Sequence, residues 1–542
     1  MLKQSSWLSV GIVAAIIIFL NMIASNISGR FDLTENDVYT MSDVTKNILE
    51  DIDEPVTVKI YYSEKFPRQL LTVKQYVFDL LQEYKSYAGS GLEYEFSEIG
   101  EGSDDIKQEA QGYGVSPVQA NIRENDQLKV QNIYLGVAFL YGDKKEALPF
   151  IQQIEQLEYQ FTGAIKRLTQ GGKTKIGYIT GFDEISIDPP NPYAALQGGN
   201  QQKPVSIKNL LTQVNSQFEL TKIDLNTTEK IPAEIQEAII LEPKKEYSAK
   251  AKYILDQFLM RGGKLGVFVN RHRVDFQNAI LPIMPIRFGL DDFFTKYGFK
   301  INDNLIVDKQ SAQVQMMQQL GPIQLPVAVD YPFAARVTNF NEDNPIVSRL
   351  NETVFFFSSS IDSIPTPNVK FTPLIQSSEE SGFAMKDPQR GMYNINPQQP
   401  FAYNQSKLNL AAIVEGKFQS NFATRPDTIA YPDAHLSEAT MDGKILVFSD
   451  ADFVKDEYSG PQNATLFMNV LDWLVDENGL ISIRNKKIEN RPLDKEILAE
   501  NAVGTRDFIK IINVYLVPVL VILFGLVKWY IRRRTKQLAS VA

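Results

Sequence analysis

The chain has 542 residues, enough for roughly three to four domain-sized units with sizeable cores. Its 55 Lys and Arg stand against 65 Asp and Glu, a net charge of −10, which repels a nucleic-acid backbone and removes nucleic acid from the expected partners. With no cysteine and two histidines, disulfides, thiolate metal sites, thiol nucleophiles and a lipidated N-terminal cysteine are excluded, and any catalytic triad must use His272 or His435.

The first predicted element is a membrane anchor over 1–29. Between Lys3 and Arg30 the chain is uncharged and rich in Ile, Val, Leu and Phe, long enough at ~1.5 Å per residue to cross ~30 Å of hydrocarbon. A cleaved signal peptide is the rival reading. The apolar block exceeds the usual ~7–15-residue core of such a peptide, so an uncleaved anchor is expected.

Residues 30–170 read as a first α/β domain. Ser42 is placed to cap a helix with Val44, Ile48, Leu49 and Ile52 on one face. The alternation Val56, Val58, Ile60, Tyr62 predicts a half-buried strand, and Leu70, Val73, Val77, Leu80, Leu81 and Tyr84 recur at helical spacing. Leu92, Tyr94 and Phe96 start a second strand. Another strand near Ile133–Leu140 and a helix near Ile151–Leu168 complete the unit, and Gly171-Gly172 form a linker.

Residues 171–484 read as a second α/β domain. Strands are predicted at Lys175–Thr180, Ala238–Leu241, Leu265–Val269 and Lys444–Phe448, with helices around Ile207–Val214, Ala251–Leu259 and Leu466–Leu474. Strands alternating with helices imply a doubly wound, largely parallel sheet. From about 301 to 440 the chain turns rich in Gln, Asn and Pro with weak periodicity, and reads as an irregular insertion. Gly172-Lys173-Thr174 resembles the tail of a phosphate-binding loop, but Arg167 stands where its first glycine belongs and a strand follows it, so a turn is expected. No internal repeat stands out.

A charged connector over 485–507 leads to a second predicted span over 508–531, with Trp529 and Tyr530 at interface level. The basic tail 532–542 opens with Arg532, Arg533 and Arg534, which by the positive-inside rule faces the cytoplasm. With two spans both termini are cytoplasmic and the body lies outside, in a bacterium the periplasm. The expected fold class is therefore two extracytoplasmic α/β domains bracketed by transmembrane helices.

In doubly wound sheets ligands bind beyond the carboxyl ends of strands. Those ends here carry Asp183 and Glu184, then Glu242, then Arg271 and His272, then Asp450 and Asp452, which make up the candidate binding crevice. Asp450 and Asp452 are oxygen donors of the kind that hold a hard cation, and His272 is the candidate general base. Strand-end polar residues also arise because chain reversals are solvated and helix N-termini favour Asp and Ser. The expectation is a binding or structural role with no catalytic residue, metal or cofactor.

The strings Arg30-Phe31-Asp32-Leu33-Thr34, Tyr39-Thr40-Met41-Ser42 and Asp53-Glu54-Pro55-Val56 resemble the start of the extracytoplasmic region in GldG-like auxiliary proteins of ABC transporters. Leu290–Phe294 with Tyr297-Gly298-Phe299, Val307-Asp308, Asn344–Val347, Ser449–Phe453, and Asn469 and Trp473 through Leu480–Arg484 are similar to that family's middle and end. The resemblance covers nearly the whole chain, both spans included. It implies an inner-membrane, non-enzymatic component working beside a separate ATPase and a permease, associated with gliding motility and often described as substrate-binding. It transfers no solute-contacting residue. A periplasmic cargo or protein partner and the lipid bilayer complete the expected partners. The alternative is an anchored periplasmic hydrolase or glycan-modifying enzyme that uses the strand-end carboxylates.

Overall fold

The computed structural model describes most of residues 40–475, apart from short intervals and the stretches 189–205 and 275–282, together with Leu480, Ile483 and most of 512–531. The expected first span at 1–29, the connector at 485–507 and the tail at 532–542 lie outside the described residues. The chain divides into two units, Met1–Lys486 and Lys487–Ala542.

Ser42 caps the first helix, α1 (Asp43–Glu50), by accepting from the Thr45 amide, as a cap serine should. Strand β1 (Val56–Ser63) is followed by α2 (Leu71–Ala88), β2 (Leu92–Ile99), α3 (Asp104–Gly112), the β3–β4 hairpin (Val118–Glu124, Gln127–Ile133), β5 (Leu135–Tyr141), β6 (Lys144–Leu148) and α4 (Leu157–Thr169). The sheet order is β2-β1-β5-β6, with β1 parallel to β2 and antiparallel to β5. Val56, Val58 and Ile60 bury one face of β1 against α1, α2 and α4. Tyr61, expected to face outward, is buried on the other face with Ile99, Ala110 and Tyr134. Helix α3 covers that face, so β1 lies between two layers, and the partly buried Tyr62 contributes less than its place in the alternation suggests.

The larger sheet has eight strands. Its parallel part is β8 (Phe218–Asp224), β7 (Thr174–Thr180), β9 (Glu237–Leu241), β10 (Lys264–Phe268) and β23 (Gly443–Phe448), adjacent in that order. In chain order this is the 2-1-3-4-5 winding of doubly wound sheets. Helices α5 (Lys208–Gln217) and α8 (Asn463–Val475) pack on one face and α6 (Ala249–Met260) on the other. All five residues of β9 are buried, as expected of a parallel strand covered on both sides.

The stretch 301–440 is more regular than its sequence suggests. Strands β20 (Val369–Gln376) and β22 (Asn409–Gly416) extend the main sheet antiparallel beyond β23, ending in the short β17 (Asn339–Phe340). The sheet is therefore mixed rather than parallel throughout. The rest of the stretch adds small pairings around β13 (Phe299–Ile301), β14 (Ile306–Asp308), β19 (Ile361–Ser363) and β21 (Ser381–Phe383), and a sheet of β15 (Ser311–Leu320), β16 (Ile323–Val337) and β18 (Thr353–Phe356). Before them lie the small β11–β12 pair (His272–Val274, Ile283–Pro285) and α7 (Asp291–Lys296).

The second unit carries α9, whose apolar window Val514–Ile531 is 18 residues long with none of it buried. It is long and apolar enough to cross a membrane, and among the described residues it is the one helix that is.

Leu410, Ile413 and Leu374 lie in the same core as Leu446 and Phe448. Ile413→Ala is therefore expected to cost about 2–5 kcal/mol in urea unfolding, comparable with Leu446→Ala. A loss below about 1 kcal/mol for Ile413→Ala alone would show that β22 is dispensable to the sheet.

Candidate functional site

The parallel register sets Leu241, Phe268 and Phe448 side by side, so the polar residues just beyond them emerge together. Glu242 follows β9 in a left-handed conformation (φ 51°), and its amide donates to the Phe268 carbonyl at 2.8 Å. Asn270 lies two residues past β10. Asp450 and Asp452 follow β23, and Asp452 opens a short 3-10 turn, Asp452–Val454. Phe268, Phe448, Phe453 and Phe355 stack beneath this group with centroid separations of 5.0–6.3 Å, which makes its floor apolar.

A lysine holds the cluster together. Lys455 Nζ lies 2.7 Å from Glu242 Oε1 and also pairs with Asp452. Asn270 donates to Asp452 Oδ1 at 3.0 Å and to Glu242 Oε1 at 3.3 Å, while its own oxygen accepts from the Ala451 amide at 2.6 Å. Asp450, fully buried, accepts from the amides of Asp452 (2.5 Å) and Phe356 (2.6 Å). Burial, and next the Asp452 charge, push the Asp450 carboxyl well above the ordinary carboxylate range. Burial also raises Asp452, against the pull of Lys455. At Lys455 burial opposes the charge, but Asp452 and Glu242 outweigh it and hold the ammonium above its ordinary value. Lys455 Nζ thus occupies the space between the Glu242 and Asp452 carboxylates, and among the described residues no three or more acidic or histidine side chains are grouped as metal ligands would be.

The other crevice candidates have different surroundings. In a 2-1-3-4-5 sheet the ligand crevice opens between β7 and β9, and here the chain fills it. Phe182 stacks on Tyr247 at 4.0 Å, Ile185 N–H donates to the Leu241 carbonyl at 3.3 Å, and the amides of Lys244 and Lys245 donate to the Phe182 carbonyl. Glu184 accepts from the Phe182 amide and the Tyr247 hydroxyl, both at 2.8 Å, and burial raises its carboxyl. Asp183 is exposed at φ 66°.

Arg271 turns toward α7, paired with Asp291, donating to the Ile301 carbonyl at 2.6 Å and lying over the Phe288 ring. His272 is 2% exposed, its Nε2 3.2 Å from Asp303 and its ring edge-on to Tyr393. Burial pushes its imidazole down to about 4, against the pull of Asp303. The structure thus gathers Glu242, Asp450 and Asp452, gives Glu184, Arg271 and His272 separate partners, and leaves Asp183 exposed. His435, the other histidine a triad could use, meets the Tyr253 hydroxyl at 3.1 Å.

Three features escape the sequence reading. Lys455, three residues after Asp452, was legible only as a charge following a strand-end turn. Asp256 lies within the apolar run of α6 and accepts from Tyr297 and Ser420 hydroxyls, the Gln257 amide group and the Asn421 backbone at 2.6–2.8 Å; a carboxylate inside a buried helix is the signal that marks it. At the opposite end of the sheet, where β7, β8 and β9 begin, a cavity of about 330 Å³ is lined by Tyr159, Lys166, Lys175, Glu234, Glu237 and Asp472, among others. There Tyr159 of α4 donates to Asp472 of α8 at 2.5 Å.

Lys455→Met leaves Asp452 without its cation and Glu242 with the partly exposed Lys244, 3.2 Å from its Oε2, and is expected to cost about 3–5 kcal/mol in urea unfolding, part of which Glu242→Gln with Asp452→Asn restores; a cost under about 1 kcal/mol would mean the cluster is solvated. For His272 the native pKa of about 4 lies below the ordinary 6.5, so between these values the unfolded chain binds more protons. Stability is complete above pH 6.5 and is lost as pH falls toward 4. His272→Gln should lose less stability than the parent over that interval in thermal melts; equal losses would contradict the buried neutral imidazole.

Residues 173–476 match the family described as an ABC-type uncharacterized transport system, and residues 35–140 match a domain of unknown function. A protein of Borreliella burgdorferi, described as uncharacterized, is 25% identical over 525 residues, covering 93% of this chain and 94% of that protein. Among solved structures the chain is similar to the mmIFT52 N-terminal domain, with TM-score 0.32, 12% identity, and coverage of 55% of this chain and 96% of that one. It is similar also to exo-beta-1,4-mannosidase Op5Man5 from Opitutaceae bacterium strain TAV5, with TM-score 0.23, 10% identity, and coverage of 60% and 38%. Likenesses this slight speak to neither fold nor activity. The family match spans more than half of the chain, eight-stranded sheet and strand-end cluster included: the chain belongs to the ABC-type uncharacterized transport system family of transporter auxiliary proteins.

Proposed function

We propose that the chain is a membrane-anchored, non-enzymatic accessory subunit of an ABC-type transporter in the bacterial inner membrane. Its two spans, at 1–29 and 508–531, place both termini in the cytoplasm and the α/β body in the periplasm. There the body binds a partner or cargo while the spans pack beside a permease driven by a separate ATPase. The observation that carries this reading is α9, an apolar helix with none of its window buried, at the end of a chain of this family. An exposed apolar surface of that length needs lipid or a partner helix to cover it.

The strand-end residues support a structural role. Two of the carboxylates share one buried lysine, and backbone amides hold the third, an arrangement that leaves little room for the proton transfer or nucleophilic attack a hydrolase requires. The resemblance to GldG-like proteins adds gliding motility as the process served.

Tagged full-length protein, extracted in mild detergent, is expected to bring down an ATPase and a multi-span permease in fixed ratio, and its deletion to stop surface gliding while growth continues. A protein that purifies alone under those conditions would contradict the transporter reading; gliding that persists after deletion would remove the motility link.

A further inference from the structure

Most edge strands in this protein carry the charges that discourage unwanted pairing. In the four-stranded sheet, edge β2 has Glu93, Glu95 and Glu98, and edge β6 has Lys144, Lys145 and Glu146. In the eight-stranded sheet, the long edge β8 has Glu219, Lys222 and Asp224. Such charges are the usual protection of an exposed row of backbone donors and acceptors. β15 is an edge strand too, since it pairs with β16 alone. Yet Ser311–Leu320 contains neither charge nor proline, and the uncharged run continues to Val329.

Near its root Ala312 and Val314 of β15 pack against the core that holds Tyr331 and Phe333, whereas Gln315, Met316 and Met317 beyond them are exposed. At its root β16 is anchored by buried Tyr331, Phe333 and Ala334, and the register shifts between Ser311 and Gln313, a bulge of the kind that bends a strand away from its sheet. From Gln313↔Asp330 to Leu320↔Ile323 the pairing is two-stranded. Met316 is 39%, Met317 64% and Leu325 47% exposed, so neighbouring positions, which point to opposite faces, are both open. A two-stranded ribbon without a covering layer is marginal in water, and a third or fourth strand supplies the missing pairing.

We propose that β15 is the interface for a second copy of this chain, the two β15 strands pairing antiparallel across a two-fold axis to form the four-stranded ribbon β16-β15-β15-β16. Charge selects this occupant. Two copies each carrying a net −10 repel one another overall, whereas the ten residues Ser311–Leu320 present none of that charge. In every antiparallel register an uncharged side chain opposes an uncharged one, so self-pairing meets no like-charge penalty. A two-fold axis requires this self-complementarity of the strand. Gln315 adds a side-chain amide able to pair with its own copy.

The test uses the full-length protein in mild detergent and exploits the absence of native cysteines. Sedimentation should give a dimer, and a single-cysteine scan over Ala312–Met317 should give an intermolecular disulfide on mild oxidation at the position beside the two-fold axis and not at every position, while Glu219→Cys on edge β8 should give none. Gln315→Lys with Met317→Lys should raise the dimer dissociation constant by roughly tenfold or more, with unchanged circular dichroism. A monomer at all concentrations, a dimer indifferent to the lysines, or β15 cysteines that link only to a different protein would each overturn the proposal.

Discussion

A buried lysine between two carboxylates organises the larger α/β body. Glu242 follows β9, Asn270 follows β10, and Asp452 and Lys455 follow β23, some two hundred residues later in the chain. Removing an ion from water costs several kcal/mol after relaxation, and the attraction among these groups offsets that only while all of them are in place. The cluster is thus a registration device: it is satisfied when the last parallel strand sits beside β10 at the observed level. The phenylalanine stack beneath it sharpens the condition, because an apolar floor makes any misplaced charge more costly.

The same constraint explains why the carboxyl end of this sheet is an unpromising place for chemistry. In a doubly wound fold that end is where ligands are usually met. Here the β7–β9 crevice is closed by the Phe182–Tyr247 stack and by Glu184 bonding to its own loop, and the neighbouring strand ends are joined by Lys455. The open, polar space lies at the other end, beside the Tyr159–Asp472 contact, where the helix that closes the first sheet meets the helix that closes the second. Leu480, just beyond α8, packs against the first core. The chain thus returns to the four-stranded sheet after the eight-stranded one is finished, linking the two cores within Met1–Lys486.

Much of the architecture was legible because burial on two faces leaves a plain mark. Ala238–Leu241, Leu265–Val269 and Lys444–Phe448 are short apolar runs, and the intervening helices carry their stripes at regular spacing. The antiparallel extension was not legible, for a specific reason. β20 contains Pro373, which ordinarily argues against a strand inside a sheet; the ladder accommodates it at a register shift between Pro373 and Ile375. Its partner β22 lies beyond a long polar stretch that hides the pairing. Tyr61 shows the same limit on a smaller scale, since nothing in β1 itself announces that α3 covers its second face. Of the candidate site, the acidic members were visible as strand-end polar residues. The lysine that determines their role was not, because which distant charge a carboxylate meets is a property of register rather than of local sequence.

The central claim is that this body belongs beside a membrane permease, held there through α9. It is tested most directly by a photo-activatable residue placed at Leu520 of α9, irradiated in native membranes. The account predicts a covalent adduct with a multi-span membrane protein, lost when the reporter is moved into the tail at 532–542. Adducts with lipid alone, or a chain released from the membrane by alkaline washing, would contradict it.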